Sequence, residues 1–224
     1  MHWLKWDIIK QPKYAGGMGF RDLYAFNIAM LAKQGWRLIQ KPDSLCAQIL
    51  RAKYFPHGSV LQAEPRAGIS YTWRSILKGV ELIKKEMIWR IGNDRYVHIW
   101  NDPWIPRGLI RQPSSHRDQN LIQWVSELID PVNGTWDEEL VRQTFHPDDS
   151  QFILATPLNE DMDNCIAWHF DPKGMFNVKS AYKVQISHGS DDQGTSARDS
   201  FPWKKNLGHG LPKQSEDFCM EIST

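Results

Sequence analysis

Two adjacent carboxylate pairs, Asp148-Asp149 and Asp191-Asp192, are the first residues to invite a chemical reading. Nucleotidyl transfer needs two or more carboxylates converging on paired divalent metals. Neither pair follows an apolar-aromatic strand that would present it in a hairpin turn. Asp148-Asp149 stands behind Pro147 as a helix start, where acidic residues suit the positive end of the helix dipole, and Asp191-Asp192 lies in a polar tail. Both are expected to be structural or solvated. Gly16, Gly17 and Gly19 imitate a phosphate-cradling loop, but no strand–loop–helix context or Walker lysine accompanies them, so a tight turn is expected instead. Cys165 and His169 have a C-x3-H spacing without a second ligand pair nearby, too little for a zinc site, and His209 and Cys219 are weak leftovers near the end. Eight scattered histidines supply no nucleophile–base set above chance. No catalytic residue, metal ligand or cofactor is therefore expected.

Charge is what remains. Residues 1–111 hold 18 Lys and Arg against 8 Asp and Glu, net +10, while residues 112–224 hold 9 against 18, net −9, so the total of +1 conceals two opposite halves. Such asymmetry points to polyanion contact by the basic half. Lys5, Lys13, Arg21, Lys33, Arg37, Lys53, Arg74 and Arg90 are the cations expected to neutralise phosphates, giving weak, salt-sensitive, sequence-independent binding of RNA or DNA. Exposed tryptophans between them would stack on unpaired bases at roughly 1–3 kcal/mol per base. The periodicity of Trp36, Trp73, Trp89 and Trp100 instead assigns most of these rings to the core.

The elements that must carry these cations are mostly helical. A short helix or arm leads to the turn Gly16-Gly17-Met18-Gly19, and Asp22 caps a long helix to about Gln40. Pro42 stops that helix, Asp43 or Ser44 caps a second carrying Leu45, Ile49 and Leu50, and Pro56 and Gly58 end it. A third begins near Thr72 with Trp73, Ile76, Leu77, Val80 and Ile83 as a continuous apolar stripe. The pattern then switches to period two. Met87, Trp89 and Ile91 alternate before Gly92-Asn93-Asp94, and Tyr96, His98 and Trp100 alternate after it, a hairpin signal. Residues 107–120 read as a linker. Short helices are expected at 121–129 and 136–145, followed by the apolar run Phe152-Ile153-Leu154. A second hairpin is expected from Cys165–Phe170 and Met175–Val178 around Asp171-Pro172-Lys173-Gly174, where Pro pre-sets φ and Gly supplies a positive one. A further helix begins near Ser180, and the chain from His188 to Arg198 reads as disordered within a disordered or degenerate tail. The expected fold is α+β, mainly α-helical with two short β-hairpins and a disordered C-terminal tail. Its expected regions are a basic, tryptophan-rich 1–111, an acidic 112–185 and a tail at 186–224.

With 41% hydrophobic and 12% aromatic residues, 224 residues suffice for one large or two small globular domains. Three cysteines (Cys46, Cys165 and Cys219) are too few for a disulfide framework and point to a reducing intracellular compartment, nucleus or cytoplasm. No stretch approaches the roughly 20 apolar residues of a membrane helix, and no membrane partner is expected. The start, Met1-His2-Trp3-Leu4-Lys5-Trp6-Asp7, lacks the apolar region of a signal peptide and reads as cut from something longer.

Many spaced aromatics and glycines agree with one family. His2-Trp3-x2-Trp6-Asp7, Pro12-Lys13, Gly16-Gly17-Met18-Gly19-Phe20-Arg21-Asp22-Leu23 and Phe26-Asn27-x-Ala29-x-Leu31-Ala32-Lys33-Gln34-x-Trp36-Arg37-Leu38 resemble the segment just after the polymerase core of plant LINE-type (non-LTR) retrotransposon reverse transcriptases. Leu50-x-Ala52-Lys53-Tyr54-Phe55-Pro56, Thr72-Trp73-Arg74-Ser75-Ile76-Leu77, Trp89-Arg90-Ile91-Gly92-Asn93 and Ile99-Trp100-x-Asp102-Pro103-Trp104-Ile105-Pro106 continue the resemblance. Phe176-Asn177-Val178-Lys179-Ser180-Ala181-Tyr182 resembles the approach to that family's zinc-binding region, and the match spans about residues 1–183. The resemblance implies a thumb-to-linker segment that holds template–primer nucleic acid. Polymerisation in the family rests on an upstream palm with an aromatic-x-Asp-Asp hairpin, and a ribonuclease H domain often follows downstream; neither acidic set has a counterpart here. After Lys213 the chain runs into Gln214-Ser215-Glu216-Asp217-Phe218, which departs from the family's basic and aromatic pattern and puts a zinc site in doubt. The implied partners are the nucleic acid, the missing polymerase domain or a second copy. The alternative is a retroelement-derived protein-interaction module, or a remnant without nucleic-acid binding.

Overall fold

Short capping side chains and apolar periodicity set the helices where the sequence places them. In the computed structural model, which describes residues 4–11, 13–92, 97–108, 110–115, 122–158 and 162–191, a four-residue helix α1 (Trp6–Ile9) precedes α2 (Leu23–Gln40). The Asp22 carboxylate accepts the Ala25 backbone N–H at 3.0 Å and starts α2; Ser44 Oγ accepts from Ala47 N–H at 3.3 Å and starts α3 (Leu45–Tyr54). Each cap satisfies an N–H that the first helical turn leaves without a partner. Then come α4 (Tyr71–Glu86), strand β1 (Met87–Arg90), β2 (Ile129–Asp130), β3 (Thr135–Trp136), α5 (Glu138–Thr144), α6 (Pro147–Ala155), β4 (Cys165–Trp168) and α7 (Val178–Asp191). Helices predominate and two two-stranded antiparallel sheets accompany them, an α+β fold.

Two compact units divide the described residues: those up to Lys84 together with Asn177 onward, and Lys85–Phe176. The charge boundary near 111 falls inside the second of these. Counted by unit, residues 4–84 and 177–191 carry 15 Lys and Arg against 6 Asp and Glu, net +9; residues 85–176 carry 8 against 15, net −7.

The first unit is helical. Trp73 is its anchor, stacked on Tyr54 and Phe55 with ring centroids 4.9 and 5.5 Å away, among Val60, Ala63, Leu77 and Val80. The buried face of α2 is built from small residues, Ala25, Ala29, Ala32 and Gly35, with Ile28 and Trp36. Small residues let other helix backbones come close. A Cβ on Gly79 of α4 would overlap the α2 backbone at Leu31 and Ala32, and one on Gly35 would stand 2.8 Å from Val80 Cγ2. Ala181 and Val184 bury the inner side of α7, and the Tyr182 hydroxyl accepts the Asp22 backbone N–H at 3.0 Å, tying α7 to the start of α2.

The second unit is cored by aromatic and aliphatic residues. Trp104 and Trp136 lie with centroids 5.9 Å apart among Ile99, Ile105, Leu128, Val141 and Ile153. The indole N–H groups of Trp104 and Trp136 donate to the carbonyls of Ile99 (2.9 Å) and Thr156 (2.7 Å), so their burial leaves no donor orphaned.

Several local expectations give way to tertiary pairing. β1 does not fold back on residues 97–100; it pairs with β4, in the register Met87↔Trp168 to Arg90↔Cys165. Residues 97–99 turn to the chain near 124 instead, with Val125 N–H on Val97 O at 3.0 Å and Ile99 N–H on Gln123 O at 2.9 Å. Residues 93–96, the expected hairpin turn, lie outside the described set. Period-two alternation marks a strand and its buried face but does not name its partner. At the second expected hairpin the turn forms, with Gly174 at φ +78° and its N–H on Asp171 O at 2.9 Å, yet no strand follows it and α7 begins at Val178. A hairpin that was not expected closes at β2–β3, between the helices expected over 121–129 and 136–145; of the first of these only Val125–Leu128 coil, as a single 3-10 turn. The described part of the expected linker 107–120 is not a free connector, because Arg111 and Ser115 are buried; residues 109 and 116–120 lie outside the described residues. The helix α7 runs through His188 to Asp191 where disorder was expected, and the rest of the expected tail lies outside the described residues.

Candidate nucleic-acid interface

Lys5 and Lys13 are exposed on the arm that precedes α2, and Arg21 is exposed at its end with the guanidinium carbon 5.7 Å from the Phe26 ring centroid. Lys33 and Arg37 stand one turn apart on the exposed side of α2, where i and i+4 share a face; Arg37 donates to Gln34 Oε1 at 3.3 Å. Lys53 is exposed in the last turn of α3, its ammonium 5.3 Å from the Tyr54 ring centroid. Arg74 is exposed in the first turn of α4 and Lys78 follows one turn later. All of these belong to the helical unit. Arg90 does not: it sits on β1 in the other unit, half-buried, donating to Pro172 O at 2.8 Å.

The arm itself is tied down by charge. Lys10 reaches Asp7 at 2.8 Å and Asp22 at 3.0 Å, and these two carboxylates, Asp7 first, hold its ammonium above the ordinary lysine range. Asp22 is held below the usual carboxylate range, first by the Ala25 N–H and then by Lys10, against the opposing effect of its burial. One carboxylate therefore caps α2 and anchors the arm.

Exposed tryptophans between the cations were expected to stack on bases, but Tyr14, Phe20 and Tyr24 were not among the expected contact residues. Trp6, Tyr14, Phe20 and Tyr24 all face water, whereas Trp36 and Trp73 are buried and Trp89 and Trp100 half-buried. The signal that could have found them is the aperiodic run of aromatics on either side of a glycine turn, which shares no single apolar face.

The chemistry-bearing groups of the second unit are committed to structure. Asp149 is fully buried and accepts from Arg107, from the Ser114 N–H (2.8 Å) and Oγ (3.0 Å), and from the Ser115 N–H (3.0 Å) and Oγ (2.8 Å). Burial alone would raise its pKa, but the Ser115 and Ser114 donors outweigh that and hold it below the ordinary carboxylate value. Its neighbour Asp148 is exposed, so this pair does not converge on one point. Arg111 is buried with Glu86 at 2.8 Å and donates to Lys85 O at 2.7 Å. His169 is pushed down to about 4, by burial first and by the Arg111 charge second, with Glu86 opposing. It borders a pocket lined by Trp89, Trp104 and Trp168. Among the described residues no three His, Cys, Asp or Glu side chains are grouped to hold a metal ion. His209 and Cys219 lie outside the described residues.

Two curated proteins of Arabidopsis thaliana are similar to this chain. It is 41% identical over 104 residues to "Uncharacterized mitochondrial protein AtMg00310", a match covering 46% of this chain and 68% of that protein. It is 28% identical over 192 residues to "Putative ribonuclease H protein At1g65750", covering 82% of this chain; the chain spans 30% of that protein's length. No family model matches the chain, and no solved structure matches it.

Proposed function

The chain belongs to the family of the Arabidopsis thaliana mitochondrial protein AtMg00310, and from that premise we propose that it is a non-catalytic, retrotransposon-derived segment that holds nucleic acid by its phosphates. In a LINE-type reverse transcriptase the equivalent segment would grip template–primer after the polymerase core. The observation that carries this reading is the cationic surplus of the helical unit, most of it exposed: 15 Lys and Arg against 6 Asp and Glu, beside 8 against 15 in the other unit. Phosphate contacts of this kind position a nucleic acid without reading its sequence. The resemblance of residues 1–183 to the post-polymerase segment supports the origin, as does the similarity to a longer relative whose name includes ribonuclease H.

That relative's name does not by itself bring its activity here. Metal-dependent hydrolysis of a phosphodiester needs converging carboxylates, and Asp149 is occupied by Arg107, Ser114 and Ser115. Titration of a labelled RNA–DNA hybrid with the full chain tests the proposal. Affinity should fall about tenfold or more between 50 and 200 mM salt, as expected when a few phosphates release their counterions. Binding that stays constant over that range would contradict it.

A second reading has its own observation. Leu45 and Ile49 stand one turn apart and exposed on α3, an apolar pair that suits contact with another protein or a second copy. Self-association in equilibrium sedimentation, with no uptake of oligonucleotide, would favour that reading.

A further inference from the structure

Trp6, Phe20, Tyr24 and Tyr14 are 43%, 49%, 64% and 93% exposed, four aromatic rings within one short segment of the helical unit. The segment is not a loose end. The Met18 and Phe20 N–H groups donate to Ile9 O at 3.1 and 3.4 Å, and the Gly19 N–H donates to Gln11 O at 2.8 Å, folding the arm back on itself. Gly17 comes so near Gln11 that any Cβ there would overlap its carbonyl. Lys10, shared between Asp7 and Asp22, fastens the closed loop to the head of α2. The fold-back brings the Trp6 and Phe20 rings to 6.1 Å, tilted by 52°.

Burial of aromatic surface stabilises by about 25 cal/mol per Å², so rings held in water by a bonded loop forgo that gain. The charge around them says what would cover them. Asp7 and Asp22 are the carboxylates of residues 4–24, and both are engaged by Lys10. Lys5, Lys13 and Arg21 are the other ionic groups of the segment, all cationic and all exposed. Rings flanked by cations match a polyanion that offers flat, unpaired faces beside its phosphates, since base–aromatic stacking tolerates any sequence. A duplex offers the same phosphates but keeps its base faces stacked on one another.

We propose that residues 4–24 form a stacking platform for single-stranded RNA or DNA, with bases on Trp6, Tyr14, Phe20 and Tyr24 and phosphates on Lys5, Lys13 and Arg21. This rests on the nucleic-acid reading above and adds the place of contact and the preference for unpaired strands. Fluorescence anisotropy with the full chain tests it, using a labelled 12-nucleotide single strand, its duplex, and an abasic strand of equal length. The single strand should bind about tenfold more tightly than either control. Tyr14→Ala with Tyr24→Ala should remove that advantage and leave duplex affinity and the thermal unfolding curve unchanged, and Tyr14→Phe with Tyr24→Phe should keep it. Equal affinity for all three probes, unaltered by the alanine pair, overturns the platform while phosphate binding stands. No binding of any probe at low salt overturns both. Self-association abolished by the alanine pair, with oligonucleotide binding unaffected, also overturns the platform and gives the rings to a protein contact.

Discussion

Arg37 and Arg107 carry the same guanidinium to opposite uses. Arg37 stands exposed on α2 with a glutamine for company, whereas Arg107 is paired with the fully buried Asp149. The contrast repeats through the two units. The helical unit leaves Lys5, Lys13, Lys33, Lys53 and Arg74 in water and exposes Trp6, Tyr14 and Tyr24, while the second unit packs Trp104, Trp136 and Trp168 inside and pairs Arg111 with Glu86. A cation that is already paired and desolvated has little left to offer a phosphate, and a buried ring cannot stack on a base. On the proposed reading, recognition falls to the helical unit and internal cohesion to the other.

The sharpest way to break this division is Asp149→Ala. It strands Arg107 and the Ser114 and Ser115 donors around a lost carboxylate, and removal of one partner from a buried charge pair costs about 3–5 kcal/mol. Urea unfolding followed by tryptophan fluorescence should show that loss, while oligonucleotide affinity under native conditions stays within twofold. Loss of binding in step with stability would show that the two roles are not separable.

Next in size is a pH effect confined to the second unit. His169 has a folded pKa of about 4 against an ordinary 6.5, so between those values the unfolded chain binds a proton that the folded chain refuses. Stability is then full above pH 6.5 and declines as pH falls toward 4, by up to about 3 kcal/mol. His169→Gln should flatten that part of the profile. The remaining acid sensitivity should set in below about pH 4, because the lowered pKa of Asp149 confers stability that is lost only as its carboxylate takes up a proton.

Charge reversal sharpens the comparison from the other side. Lys33→Glu with Arg37→Glu should weaken binding of a labelled hybrid about tenfold at low salt. Lys173→Glu, at an exposed turn of the second unit, should leave it unchanged. Equal effects would place the contact on both units. The smallest effect is expected at the cap of α3, where Ser44→Ala should lower the melting free energy by about 1 kcal/mol without altering oligonucleotide affinity.

Much of the helical unit was legible because its determinants are local. Asp22 and Ser44 cap the helices they precede, and the stripe Trp73, Leu77, Val80 and Ile83 faces inward as its spacing requires. The exposure of Lys33 and Arg37 follows from the same periodicity. The rings of the arm were not legible in this way, since no repeat told which of Trp6, Tyr14 and Phe20 would find a partner.

Strand pairing shows the limit of local pattern most clearly. Residues 87–91 and 165–170 each read as the first arm of its own hairpin, yet β1 and β4 pair with each other, more than seventy residues apart. Alternation of apolar side chains in one strand sets its buried face, and any strand of matching face satisfies it equally. The Asp149 cradle has the same character: nothing near Asp149 in the chain announces that Arg107, Ser114 and Ser115 will surround it. Amino-acid order alone settled the positions and caps of α2 and α3, the apolar stripe of α4 and the uneven charge, because each depends on neighbours within a few residues. Which strands meet, which ions are buried and which rings stay in water depended on contacts between distant segments, where packing and desolvation outweigh local preference.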